Sequence, residues 1–288
     1  MKKIVQAFLI FFFTVTTAQN TVNRFFYELT FRPNKDSLKT EKEMMILDLD
    51  KTQSVYQSYE FVVMDSILND MVMKTKNSGF TPDFHELPDQ KQGHFSHRIF
   101  KNYPVKEIIY KDRIFTSYFT YHENPEFNWN VTPEKQKIGA YDTQKATTYF
   151  AGRKWIAWFT TTIPIQDGPY KFYGLPGLIV KIEDEQKNFS WELMGNRKID
   201  DIKDTLYIED LQKSKDSKEI TKEKFIENYD HYKKDPFAET RQMITKIPSG
   251  TTLPDGSSIH DGIREMEKKA KEAYNKYNNN IEIQQKKK

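Results

Sequence analysis

The chain has 288 residues, and its 44 Lys and Arg against 41 Asp and Glu give a net charge of +3, spread in alternation, which leaves no electrostatic footprint for nucleic acid. It contains no cysteine, so disulfides and lipoprotein acylation are excluded and stability has to come from a buried core. Only 37% of it is hydrophobic but 14% is aromatic, mostly Phe and Tyr, which suits a core of rings packed on sheets.

Met1-Lys2-Lys3, an apolar run from Ile4 to Val15 and the small residues Thr16-Thr17-Ala18 predict a signal peptide over residues 1–18, cleaved after Ala18. The run is too short to cross a bilayer, which takes about 20 apolar residues. No later segment approaches it, so the remaining 270 residues (288 minus 18) are expected to be soluble, periplasmic or secreted, with no integral membrane segment.

Phe25, Tyr27, Leu29 and Phe31 alternate with Phe26, Glu28, Thr30 and Arg32, the period of a half-buried strand, and Pro33-Asn34-Lys35-Asp36 turns it. Met44 to Leu49 and Ser54 to Tyr59 read as further strands. Phe61, Met64, Leu68, Met71 and Val72 then fall at helical spacing. Residues 77–97 are rich in Gly, Pro, Asp, Gln and His and read as a long loop. From Ser96 to Trp191 strand patterns recur around Ile99, at Ile108–Tyr110, Ile114–Tyr121, Phe127–Val131, Ala146–Phe150, Trp155–Ile165 and Leu178–Ile182, and at Phe189–Met194. Short turn-rich spacings between them predict an antiparallel meander.

After Asn196 the chain turns rich in Lys, Asp and Glu, and residues 197–288 read as a charged, partly helical extension of a β-rich domain over 19–196. Thr221 is the expected cap of one helix with a Phe225, Tyr229, Tyr232 stripe. Asp261 is the expected cap of a second, with Ile263, Met266, Ala270, Ala273 and Tyr277 along one side. Neither pairs a large apolar face with a basic one, so packing on the sheet is favoured over membrane contact.

The densest signal lies between Lys145 and Ile182. Arg153-Lys154-Trp155-Ile156-Ala157-Trp158-Phe159-Thr160 is apolar on both faces, as in a central strand, and Asp167-Gly168-Pro169 closes it. In Leu175-Pro176-Gly177-Leu178 the proline and glycine match a type II turn, with a positive φ expected at Gly177. The absence of G-K-[ST] and of G-x-G-x-x-G argues against a phosphate cradle.

The ordered series Lys145-Ala146-Thr147, Phe150-Ala151-Gly152-Arg153, Ala157-Trp158-Phe159-Thr160, Ile163-Pro164, Gly168-Pro169-Tyr170-Lys171-Phe172 and Gly174-Leu175-Pro176-Gly177-Leu178-Ile179 resembles the signature of the GLPGLI family. The resemblance implies an exported, β-rich protein of bacteria with an outer membrane, often encoded near outer-membrane receptors, with no molecular function attached. Many members have a cysteine where this chain has Thr143, so any thiol role is absent here.

His85, His94 and His97, with Asp83, Glu86 and Asp89 nearby, are the candidate metal ligands, since His94-x-x-His97 offers two imidazoles to one ion. Without an H-E-x-x-H helix they read better as incidental histidines of a polar loop. No G-x-S-x-G marks a serine nucleophile, and Glu183-Asp184-Glu185 reads as a solvated turn. Arg153 either holds an anionic ligand or pairs with an acid at the end of the sheet. Trp155 and Trp158 point to opposite faces, so one is core and the other is free to line a groove with Tyr173. The expected fold is a mainly β, curved antiparallel sheet or half-barrel with a crossing helix. The expected function is a non-enzymatic envelope module that needs no cofactor and binds an apolar small molecule, a peptide or an envelope protein, with a metal-assisted hydrolase as the alternative.

Overall fold

A computed structural model describes residues 22–78, 93–103, 107–114, 117–202, 217–248, 250–252, 256 and 258–283. Its strands and helices are β1 (Val22–Phe31), β2 (Glu41–Leu49), β3 (Gln53–Ser58), α1 (Tyr59–Ser78), β4 (Arg98–Asn102), β5 (Ile108–Ile114), β6 (Ser117–Glu123), β7 (Asn130–Ile138), β8 (Tyr141–Phe150), β9 (Arg153–Thr160), β10 (Leu178–Asp184), β11 (Phe189–Ile199), β12 (Lys218–Glu219), α2 (Lys222–Lys234), α3 (Ala238–Ile244) and α4 (Ile259–Lys276). The expected signal peptide lies outside the described residues.

All the strands join one open sheet in the order β12-β6-β5-β4-β3-β2-β1-β11-β10-β9-β8-β7. It consists of two antiparallel meanders, β1 to β6 and β7 to β11, zipped together by the long-range pairing of β1 with β11, in which Leu29 lies opposite Trp191. Only β12 pairs in parallel, on β6. The alternation seen in β1 holds: Phe25, Tyr27, Leu29 and Phe31 are buried, while Phe26 meets Tyr59 of α1 on the other face. Between β8 and β9, Ala151 and Gly152 adopt φ of 50° and 79°, which is the geometry of a tight two-residue hairpin.

The sheet is strongly coiled. β4 and β10 stand five places apart, roughly 24 Å in a flat sheet at ~4.8 Å per strand. Yet Asp167 accepts the Ile179 amide of β10 at 3.0 Å through its carbonyl and bonds Lys101 of β4 through its carboxylate. One residue can reach both strands only if the sheet curls around it. The inner face thus becomes a trough, filled by residues 161–177, which lie between β9 and β10.

Several expected boundaries move. Ile114–Tyr121 is two strands, with β5 ending at Ile114 and β6 starting at Ser117. The strand expected over Trp155–Ile165 leaves the ladder at Thr160, and Ile163 instead accepts the amides of Ile165 and Leu178 in a tight non-ladder pattern. The outer residues of β9, Lys154, Ile156 and Trp158, are only half-buried, so β9 is sealed on one face rather than two. Thr221 caps α2 as expected, accepting from the Lys224 amide. Asp261 does not cap α4: the helix starts at Ile259, and Ser258 accepts the Gly262 amide.

The described part of the charged C-terminal stretch enters the same core. Phe225 of α2 and Ile281 belong to the hydrophobic cluster of β1, β9 and β11, and residue 196 falls inside β11. Phe225 packs its ring on Tyr110 and Tyr121. Met266 of α4 stays exposed.

Candidate functional site

Residues 161–177 can lie this close to β9 and β10 because two of their glycines have no side chain. A methyl at Gly177 would overlap the Thr160 carbonyl, and one at Gly168 would come within 2.7 Å of the Ile179 side chain. Gly177 is thus required by close approach. Its φ is not positive, contrary to the type II turn expected there; the left-handed residue of the motif is Gly174, at φ 92°. Tyr170 also takes a positive φ, 54°, which is costly for a ring-bearing residue and is held by its surroundings.

The segment carries charges into the trough. Asp167 is fully buried and its carboxylate accepts from Ser54 Oγ at 2.6 Å, from its neighbour's amide at Gly168 at 2.6 Å, from Lys101 Nζ and from Tyr103 Oη. Lys101 Nζ also donates to the Gly168 carbonyl at 2.7 Å. Burial pulls the Lys101 ammonium down, opposed by Asp167, and burial with Asp167 pushes the Tyr103 phenol up.

Four residues on, Lys171 has no exposed side-chain surface and is ion-paired to Glu123 of β6 and to Glu282 near the C-terminus. Its ammonium lies 4.8 Å from the Tyr110 ring centre, 5.3 Å from Tyr121 and 5.4 Å from Tyr170, an aromatic cage around a cation. Lys222, at the start of α2, bonds both acids, at 2.6 and 2.9 Å, and Tyr170 Oη donates to Glu282 at 2.7 Å. Burial alone would raise the Glu282 carboxyl; Lys171 and Lys222 overcome it and hold it at about 2.

Arg153 closes the third cluster. It pairs with buried Asp184 at 3.0 Å, the end-of-sheet acid anticipated for it, and its remaining donors reach the carbonyls of Ile281 at 2.9 Å and Asn280 at 2.7 Å and the Asn279 side chain at 2.9 Å. The other proposed ligand residues do not converge with it. Trp155 is fully enclosed, its indole donating to the Phe150 carbonyl and packed on Phe172, so it lines no groove. Trp158 lies on the outer face beneath Lys145, and Tyr173 at the rim donates to the Pro125 carbonyl. Pro169, Leu175 and Pro176 serve the path of the segment, and Leu175 is buried.

His85 lies outside the described residues. His94 and His97 both precede β4 and act as rings, but only His97 departs from the expected surface histidine: His94 stays exposed, while His97 is buried. His94 stacks on Tyr277 at 4.0 Å, and His97 is buried between Tyr56, Tyr110 and Tyr170. Burial, with Lys171 nearby, pushes His97 down to about 3, so it is neutral. Among the described residues no group of three or more His, Cys, Asp or Glu side chains is arranged to hold a metal ion.

The arrangement can hold a carboxylate between two ammonium groups and a cation within rings. The Ser54 hydroxyl is bonded to the Asp167 carboxylate inside the trough, and the values of Glu282 and His97 lie far from neutrality, where a proton shuttle would need them. The outer face carries an open depression of about 470 Å³ lined by charged residues such as Arg32, Lys181, Glu183 and Lys187, unlike the apolar enclosure an acyl chain requires.

A family model described as "Protein of unknown function (Porph_ging)" matches residues 150–181, the stretch from the β8–β9 turn into β10. No curated protein matches the sequence. Among solved structures, "Structure of PNGF-II in C2 space group" is similar with a TM-score of 0.50 and 15% identity over 73% of this chain and 32% of that one. "Structure of PNGF-II in P21 space group" gives 0.50 and 14%, over 73% and 33%. The chain therefore spans about a third of the length of these structures, and the likeness concerns the fold.

Proposed function

We propose that this protein is an exported, non-enzymatic module of the cell envelope that works by binding a protein partner. Export rests on the charged, apolar and small-residue pattern of residues 1–18, and the envelope setting rests on the GLPGLI resemblance, whose residues overlap the matched stretch 150–181. No described helix is long and apolar enough to cross a membrane.

The observation that carries the partner-binding reading is the closure of the inner face by the chain itself. Tyr170, Lys171, Phe172, Phe225 and Ile281 occupy the trough where a carrier would hold an acyl chain. An aromatic-lined cavity beside Trp155, which a carrier requires, has its place taken by Phe172 and Trp191.

Native mass spectrometry of the protein purified from its own envelope tests this. The expected species is a polypeptide beginning at Gln19, in complex with a second protein and without a stoichiometric small molecule. A stoichiometric acyl ligand or metal ion would overturn the reading.

A further inference from the structure

The last described residues, 277–283, lie across the mouth of the trough as an irregular strap, bent at Ile281 and Glu282. Their contacts resemble those of a bound peptide more than those of a core strand. Arg153 grips the carbonyls of Asn280 and Ile281, and the Ala151 carbonyl accepts the Ile283 amide at 2.9 Å. Gly152, at φ 79°, leaves room there, since a methyl on it would come within 3.0 Å of Ile283 Cβ. These contacts read main chain. Side chains are read as well: Asn279 by Arg153, Arg32 and Asn188, Ile281 by burial, and the Glu282 carboxylate between Lys171, Lys222 at 2.9 Å and Tyr170 at 2.7 Å.

We propose that this mouth is an acceptor site for a segment with a glutamate next to a buried apolar residue, filled in cis by Asn279–Ile283 and taken over by a partner protein's segment of the same chemistry. This deepens the partner-binding reading above and rests on it. Charge complementarity identifies the ligand: Lys171 and Lys222 lie on elements on either side of the carboxylate and Tyr170 adds a neutral donor, a set that prefers a carboxylate over an amide. The balance of the strap's contacts makes it exchangeable. Only Ile281 contributes a buried apolar side chain, the flanking Asn278 and Asn280 are exposed, and α4 before it leaves Met266 in solvent. Segments anchored in this way open at lower free energy than the sheet they cover. The tether gives the cis segment an effective concentration in the millimolar range, so the partner binds tightly only when the strap is loosened.

The test uses the full chain and a fluorescent peptide with the sequence of residues 277–283. Asn279→Ala removes contacts to Arg153, Arg32 and Asn188 without leaving a buried charge unpaired. The N279A chain should bind the peptide ~10-fold more tightly than the parent chain, and the peptide carrying Glu282→Gln should bind ~10-fold more weakly to either. A second measurement needs no variant: excess peptide should accelerate amide exchange at residues 279–283 of the parent chain. Absence of binding to a folded N279A chain, equal binding of the two peptides, or unchanged exchange under saturating peptide would each overturn the site. A concentration-dependent dimer that the peptide dissociates would place a second copy of this chain in the groove and overturn the foreign partner. If the peptide fails while native mass spectrometry still finds a protein complex, the groove is lost and the partner-binding reading stands on another surface.

Discussion

Residues 161–177 and the described part of residues 217–283 both cover the inner face of the sheet, the first by close backbone approach and buried rings, the second by helix α2 and a polar strap. The first stretch leaves little freedom: Gly168 and Gly177 lie against Ile179 and Thr160 with no room for a methyl, and Phe172 is fully buried. The second is exposed over most of α4 and enters the core at few points, chiefly Phe225, Ile281 and Glu282. They meet at Lys171 and Glu282, where a charge from each stretch neutralises the other. The contrast shows that a charged terminal region can complete a core through a few points, two of them apolar and one a buried ion cluster, provided the charges are removed from water together.

The comparison breaks most severely at that contact. Lys171→Met leaves Glu123 and Glu282 facing each other with Lys222 as their shared counter-charge, and the cost should be about 4 kcal/mol in urea unfolding. Gly177→Ala drives a methyl into the Thr160 carbonyl and should cost about 3 kcal/mol, seen as a lower urea midpoint with an unchanged slope.

pH sharpens the comparison further. His97 is held at about 3 in the fold against 6.5 when unfolded, so the unfolded chain binds the proton more readily in that window and stability falls with acidification. Between pH 6.5 and 5 this amounts to roughly 2 kcal/mol, since one pKa unit is worth ~1.4 kcal/mol. His97→Phe keeps a ring between Tyr56, Tyr110 and Tyr170 and should flatten that dependence; an unchanged pH profile would show that His97 is not buried in its neutral form. The smallest effect belongs to the second stretch: Thr221→Ala removes the cap of α2 and should cost about 1 kcal/mol in thermal or urea unfolding.

Much of the sheet is legible in the sequence because period-2 alternation is a local property. β1 announces itself through Phe25, Tyr27, Leu29 and Phe31, and most strand patterns between Ser96 and Trp191 sit on observed strands with shifted ends, whereas Phe127–Val131 meets only the first two residues of β7. What pairs β1 with β11 is not local, and neither is the curl of the sheet. The special character of the Gly174-Leu175-Pro176-Gly177 run is also visible, but its cause is not: the Gly177 requirement comes from Thr160, a residue of the preceding strand.

The charge clusters are the least legible part of the sequence. Lys171 stands alone as a charge between Tyr170 and Phe172, and Glu282 between Ile281 and Ile283, which is a visible signal that each enters an apolar setting. Nothing in either run names the other as its partner 111 residues away. His97 is hard to read for the opposite reason: its Gly, Asp and Gln-rich neighbourhood points to solvent, whereas the approach to β4 turns its ring inward; His94 stays exposed, as that neighbourhood suggests. Arg153 was ambiguous between ligand and structural pairing, and Asp184 and the strap carbonyls take up its donors.

The most direct test of the closed trough is native-state amide exchange at Asn279 and Ile283, whose N–H groups donate to Pro33 at 3.1 Å and Ala151 at 2.9 Å. Both amides should be protected together, and Glu282→Gln should release both while leaving the Trp191 amide of β11 as slow as before. Exchange of Asn279 and Ile283 in the unaltered chain at the rate of an unstructured peptide would contradict a trough closed by its own C-terminal strap.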